Sequence, residues 1–128
     1  MLNRTGLALA LGAILLTIAS AATGATTSAR TIATTSSSDF RADLVAQRSS
    51  GGQAPTAGLT VVTYERGQSS WKRLGSHRIA GTFFWKTVTG PRAICRLELA
   101  TVGHARVIVQ TLVSPAIGCA KATAVPLT

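Results

Sequence analysis

The feature that most constrains the fold is an alternation of apolar and polar side chains with a period of two residues after residue 58. The segments "RAICRLELATV" and "ARVIVQTLV" show it most clearly, and the period is typical of half-buried β-strands. Further strand candidates are "LTVVTYE", "WKRL" and "HRIAGTFFWKTVT", which are separated by glycine, serine and proline. Because no segment with helical periodicity follows Arg48, the sequence predicts a mostly β domain over residues 59–128.

Four or five antiparallel strands joined by short turns predict a small β-sandwich or a partly open barrel. The chain has two cysteines, Cys95 and Cys119, and an even pair in an oxidising compartment predicts one disulfide. Cys95 alternates in phase with Leu97 and Leu99, so the bridge is expected inside the fold. The alternative, a reactive thiol or a metal ligand, needs a free cysteine with suitable partners.

Residues 1–22 have the features of a secretory signal peptide. Arg4 supplies a positive charge, "LALALGAILLTI" is an uncharged apolar run, and small residues suited to cleavage follow it. The alternative is an uncleaved membrane anchor, but no basic cluster follows the apolar run. We therefore expect a secreted, extracellular protein that can associate with the cell wall and has no transmembrane segment after cleavage.

Residues 23–58 are rich in serine, threonine and glycine, and they predict a disordered linker. Within it, "SDFRADLVAQR" predicts a short helix over residues 39–48, where Phe40, Leu44 and Val45 would share one face. Such a short helix is stable only if that face docks on the rest of the protein. The whole segment could equally be a propeptide, a stalk or a tether.

The charge balance points to anionic partners. The chain has 13 basic and four acidic residues, and a mature chain without Arg4 keeps 12 of the basic ones. Such an excess favours association with anionic polymers, although it can also serve only to keep a small domain soluble. Ten of the 13 basic residues are arginine, a bias typical of GC-rich bacterial genomes.

Aromatic residues beside cations mark the candidate binding surface. In "GTFFWKTVT", Phe83 and Trp85 share one face of a strand, which leaves Phe84 on the other face near Lys86. Trp71 precedes two cations on a short strand candidate, an arrangement that suits stacking against sugars or bases. The competing interpretation is packing in the core or at its rim. The predicted ligand-binding residues are Trp71, Lys72, Arg73, Phe84 and Lys86.

Catalytic chemistry has few candidates in this sequence. The β domain contains two carboxylates and two histidines, Glu65, Glu98, His77 and His104, without a recognisable catalytic spacing. The sequence has no nucleophile elbow, phosphate loop, dinucleotide fingerprint or nucleic-acid-reading motif. It therefore predicts no catalytic residue, no cofactor, no metal ligand and no specific nucleic-acid partner.

The function that these observations favour is a non-catalytic binding module for anionic extracellular or cell-envelope polymers. One alternative is an inhibitor of a secreted protease, in which "TGPRAIC" holds Arg92 on a constrained turn against an extracellular protein. A cationic antibacterial protein is less favoured, because the sequence lacks a basic amphipathic helix.

Overall fold

The computed structural model describes residues 28–49 and 54–127, so the predicted signal peptide lies outside the described residues. No helix in these two ranges is long and apolar enough to cross a bilayer. The elements in chain order are β1 (Ala29–Ser36), β2 (Phe40–Ser49), β3 (Thr56–Arg66), β4 (Trp71–Phe84), α1 (Trp85–Val88), β5 (Ile94–Ala100), β6 (Arg106–Ser114), β7 (Gly118–Cys119) and β8 (Thr123–Pro126).

The strands form two antiparallel sheets, which confirms the predicted mostly β class. One sheet has the order β1-β2-β3-β4, with every neighbour antiparallel. In the second sheet, β6 pairs with β5 along one edge. Along its other edge, the first half of β6 pairs with β8 and the last residues of β6 pair with β7. Short connections between sequential neighbours explain this simple topology.

A single core lies between the sheets, as in a β-sandwich. Alternate residues of β2 and β3 are fully buried, which leaves the residues between them on the opposite face of the first sheet. The second sheet covers this core mainly with Val107, Val109 and Val125. The remaining buried members are Ala42, Leu44, Ala46, Ala57, Leu59, Val61, Ile79, Val88 and Leu127.

The predicted helix over residues 39–48 is wrong, because this segment forms strand β2 in the interior of the first sheet. Ala42, Leu44 and Ala46 all point into the core, and each is 0% exposed. Two of these three residues are alanines, whose small side chains left the period of two hard to recognise in the sequence. Pairing with β1 and β3 satisfies the backbone of β2 on both sides, an advantage that a marginal two-turn helix lacks.

The predicted linker over residues 23–58 is also wrong for the part that the structure describes. Strands β1 and β2 occupy most of residues 28–49, and β3 begins at Thr56 rather than at Leu59. The domain therefore begins well before residue 59. The physical reason is that β1 binds mainly through its backbone, so it needs few large apolar side chains.

Strand β4 joins two segments that the sequence separated. Gly75 and Ser76 do not form a turn; they continue the pairing with β3 through a register shift near Leu74. The strand ends at Phe84, and the next four residues form α1 instead of extending the strand. Trp85 nevertheless packs against the core, as its predicted position beside Phe83 required.

Cys95 and Cys119 form the predicted disulfide, with their Cα atoms 6.3 Å apart. The expectation that the bridge lies inside the fold is wrong, because both cysteines are exposed. Ile94 pairs with Thr111 and Arg96 pairs with Gln110, so Cys95 is the extra residue of a β-bulge. The bulge reverses the phase of the alternation, which sends Cys95 away from the face that carries Leu97.

Candidate functional site

The five predicted ligand-binding residues do not form one surface. Trp71, Lys72 and Arg73 begin β4, whereas Phe84 ends it and Lys86 lies in α1. At a strand rise of about 3.3 Å per residue, the two groups are about 40 Å apart along β4. The prediction grouped these residues into one surface only because both segments combine an aromatic ring with cations.

At the first end of β4, the indole ring of Trp71 already has an intramolecular cation. The guanidinium carbon of Arg66 lies 4.4 Å from the centre of that ring, and Arg66 also donates a hydrogen bond of 2.7 Å to the carbonyl of Ser38. Glu65 and Lys72 lie directly opposite each other on β3 and β4. The Trp71 ring at this end therefore already has a cation partner within the protein, and a carboxylate lies across from Lys72, which reduces what this end can offer an anionic ligand.

At the other end of β4, two adjoining pockets surround Lys86, and we call them together the α1 groove. The first has a volume of about 580 Å³ and the second about 340 Å³. Lys86 lines both pockets. The residues that line the first are Arg48, Ala54, Pro55, Phe84, Trp85 and Lys86, and those that line the second are Lys86, Thr87, Gly90, Pro91, Arg92, Leu112 and Pro115.

The short helix α1 positions the side chains of the groove. The amide of Trp85 donates to the carbonyl of Pro55 at 3.1 Å, and both the amide and the hydroxyl of Thr89 donate to the carbonyl of Trp85, at 3.0 and 2.7 Å. Val88 is 1% exposed and anchors the turn in the core. Lys86, on the opposite side of α1, therefore points to solvent.

The end of the turn depends on Gly90. A Cβ atom at this position would lie 3.3 Å from the carbonyl oxygens of both Lys86 and Thr87, closer than an ordinary van der Waals contact. The glycine therefore allows the chain to turn tightly after α1. This turn presents Pro91 and Arg92 at the edge of the second pocket.

The α1 groove is cationic and partly aromatic. Its charged lining residues are Arg48, Lys86 and Arg92, and among the residues that the structure describes no carboxylate lines either pocket. The guanidinium carbon of Arg48 lies 5.8 Å from the centre of the Trp85 ring. Phe84 is 57% exposed and is more exposed than Trp85, the other aromatic residue that lines the groove. The arrangement offers positive charge beside an apolar platform, which suits an anionic chain with apolar or sugar-like faces.

The four carboxylates of the chain lie elsewhere. Asp43 accepts two hydrogen bonds from Arg41, and Glu98 accepts one from Arg96. The hydrogen bond from Arg96 lowers the pKa of Glu98 and outweighs the opposing effect of desolvation, and the positive charges of Arg96 and Arg106 lower it further. Asp39 lies in the turn between β1 and β2, and Glu65 lies near the end of β3 that is remote from α1.

Arg48 and Trp85 are groove residues that sequence reasoning missed. The sequence places Arg48 at the end of a predicted helix before a linker, and it places Trp85 on the strand face that carries Phe83, away from the candidate surface. The alternation of β2 holds the signal for Arg48, because this residue follows Ala42, Leu44 and Ala46 at the same two-residue spacing.

A pair of groups of the kind that acid–base chemistry uses lies at the opposite end of the sandwich. Glu65 and His104 line one pocket of about 580 Å³, whose other walls are mainly apolar. No hydrogen bond joins these two side chains among the contacts of residues 28–49 and 54–127. Within the same residues, no three histidine, cysteine, aspartate or glutamate side chains cluster as metal ligands.

Comparison of the chain with protein-family models, with curated proteins and with solved structures found no match.

Proposed function

We propose that this protein is a secreted, non-catalytic binding module that holds an anionic polymer of the cell envelope in the α1 groove. The observation that carries the proposal is that Arg48, Lys86 and Arg92 line two pockets that meet at Lys86 beside exposed aromatic surface, with no carboxylate in the described part of their lining. The large excess of basic residues in the whole chain adds a long-range attraction for such a polymer.

Export is part of this proposal. An apolar amino-terminal run after Arg4 supports it, and the disulfide is a bond that persists mainly in oxidising compartments. A polymer of phosphate or carboxylate units is the anionic partner available in quantity at a cell surface. The site consists of two pockets that meet at Lys86, an extended arrangement that suits a chain better than a compact small molecule.

The proposal predicts that removing two groove cations weakens polymer binding more than removing two cations elsewhere. In the double variant Lys86→Gln/Arg92→Gln, we expect about fivefold weaker binding to poly(glycerol phosphate), since each exposed cation contributes about 0.5 kcal/mol and the two together about 1 kcal/mol. The matched control is Lys72→Gln/Arg73→Gln, which loses the same residue types and charge at the other end of β4. Titration calorimetry at low ionic strength gives both affinities.

Salt and a neutral polymer complete the test. Binding by the wild-type protein is expected to weaken steeply from low to physiological ionic strength, where charges are screened beyond about 8 Å. Neutral dextran should not bind. Equal losses in the two double variants would show that diffuse charge rather than the groove attracts the polymer, and no binding by the wild type would refute the proposed function.

A protease inhibitor is the second candidate, because Arg92 is exposed three residues before the disulfide cysteine Cys95. However, the amide of Ala93 donates to the carbonyl of Gly90, so Arg92 lies in a tight turn rather than in an extended segment. The geometry therefore favours polymer binding. Inhibition of a trypsin-like protease that is insensitive to salt and lost in Arg92→Ala would reverse this preference.

A further inference from the structure

The face of the first sheet that points away from the core carries a second concentration of polar groups. Directly opposite residues of antiparallel strands point to the same face, and Thr60 lies between the buried residues Leu59 and Val61. Thr60 is opposite Arg78, and the neighbouring Gly58 is opposite Gln47. These side chains therefore share the outer face near the ends of β2 and β3.

They surround a recess with a volume of about 260 Å³, which we call the Arg78 recess. Its lining is predominantly polar and consists of Gln47, Ser49, Gly58, Thr60 and Arg78. A Cβ atom on Gly58 would lie 3.4 Å from Nη2 of Arg78. This distance is an ordinary van der Waals contact, so the guanidinium lies directly over Gly58, and a side chain that branches beyond Cβ would displace it.

The charge of Arg78 is not neutralised in the described part of the chain, where neither ion pair includes this residue. Asp43 is on the same outer face, but its carboxylate already accepts hydrogen bonds from Arg41 and from Thr34 at 2.9 Å. The side chain of Asp43 is only 8% exposed. An external anion is therefore the available partner for the guanidinium.

We propose that the Arg78 recess binds a tetrahedral oxyanion, a phosphoryl or sulfuryl group. Arg78 can donate two parallel hydrogen bonds, while the hydroxyls of Ser49 and Thr60 and the amide of Gln47 supply further donors. These donors exceed the about four lone-pair sites of a carboxylate, whereas the oxygens of a tetrahedral group can accept from all of them. The donor set therefore selects phosphate or sulfate over carboxylate.

This site goes beyond the proposed function because it is separate from the α1 groove. Gln47 and Ser49 point to the recess, whereas Arg48 between them lines the groove. Consecutive residues of a strand point to opposite faces, so the two sites lie on opposite sides of the same end of β2.

Inorganic phosphate tests the site without any polymer. In a ¹⁵N NMR titration of the wild-type protein, we expect saturable shifts at the backbone of Gly58 and Thr60 and at the guanidinium of Arg78, with acetate binding much more weakly. Arg78→Gln should weaken phosphate binding more than tenfold, because it removes a charged bidentate donor. The matched control Arg73→Gln removes the same charge from β4 and should change the affinity less than twofold.

Two further variants retain the positive charge at residue 78. They distinguish a specific site from diffuse electrostatic attraction. Arg78→Lys should weaken binding by losing the bidentate geometry, and Gly58→Val should weaken it by displacing the guanidinium. Equal binding of acetate and phosphate, or equal losses in Arg78→Gln and Arg73→Gln, would overturn the proposal. If Gly58→Val does not fold, the comparison of Arg78→Gln with Arg73→Gln still tests the proposal.

Two further titrations identify the source of the anion. Glycerol phosphate tests whether the recess binds a phosphate monoester, and poly(glycerol phosphate) tests whether it binds phosphate diesters. A third titration separates this proposal from the proposed function. Lys86→Gln/Arg92→Gln should bind inorganic phosphate in the recess as the wild type does, while its affinity for the polymer falls. A loss of phosphate binding in this double variant would contradict the separation of the two sites.

Discussion

A chain that starts at Ala54 instead of Ser28 is expected to lose cooperative folding. The truncation removes β1 and β2, and with them Ala42, Leu44 and Ala46, which are fully buried. It also uncovers the core side and one edge of β3, where Leu59 and Val61 are now 0% exposed. Circular dichroism during heating and the dispersion of amide resonances in NMR spectra would measure the loss.

The magnitude follows from the small stability of domains of this size. Native domains are stable by about 0.05–0.15 kcal/mol per residue, or roughly 5–15 kcal/mol for a hundred residues. Burial of one leucine contributes about 1.5–3 kcal/mol, and the truncation also loses the apolar surface that β2 shares with β3. A chain that starts at Ser28 keeps every described strand and is the control that should melt cooperatively.

A pair of point substitutions tests the same conclusion in a chain that still folds. Leu44→Ala should reduce the free energy of unfolding by about 2–5 kcal/mol, since Leu44 is fully buried. Val45→Ala should cost clearly less, because Val45 is only half-buried and lies on the outer face. A helix over residues 39–48 would place both side chains on one face and give similar costs. Similar costs, or cooperative melting of the truncated chain, would contradict the role of β2.

The period of two was sufficient to predict the β class and strands β5 and β6, and the even cysteine count predicted the disulfide, but β7 and β8 were not predicted. It failed for β1 because "ARTIATTS" has one large apolar side chain, so its composition resembled that of a linker. Threonine is nevertheless a favourable strand residue, and β1 is held by the backbone ladder to β2. Partners distant in the sequence stabilise that ladder, which is why a local reading of composition missed it.

Part of the groove was predictable from single residues. Phe84 and Lys86 are predicted ligand-binding residues and Arg92 is the residue of the alternative inhibitory turn, and all three line the groove. The sequence could not show that α1 interrupts the strand after Phe84 and brings Arg92 back toward Lys86. The sequence also could not show that Arg48, near the end of β2, lies beside Trp85 and Lys86, because this position depends on the register between β2 and β3.

Replacing both cysteines by serine is expected to reduce the free energy of unfolding by about 3.5 kcal/mol. The bridge closes a loop with a sequence separation of 24 between Cys95 and Cys119, and the figure is the chain entropy that such a loop removes from the unfolded state. Chemical denaturation of the oxidised protein and of the double variant measures the difference. A loss below about 1 kcal/mol would show that the bridge adds little to the stability of the second sheet.

The position of the bridge adds a kinetic expectation. Because both cysteines are exposed, a thiol reductant should open the bridge in the folded protein, at denaturant concentrations well below the unfolding midpoint. A bridge inside the fold, as the alternation around Cys95 predicted, would instead be reduced only as fast as the protein unfolds. Labelling of the released thiols against time, with unfolding followed in parallel by fluorescence, distinguishes the two. Reduction that tracks global unfolding would contradict the bulged, outward position of Cys95.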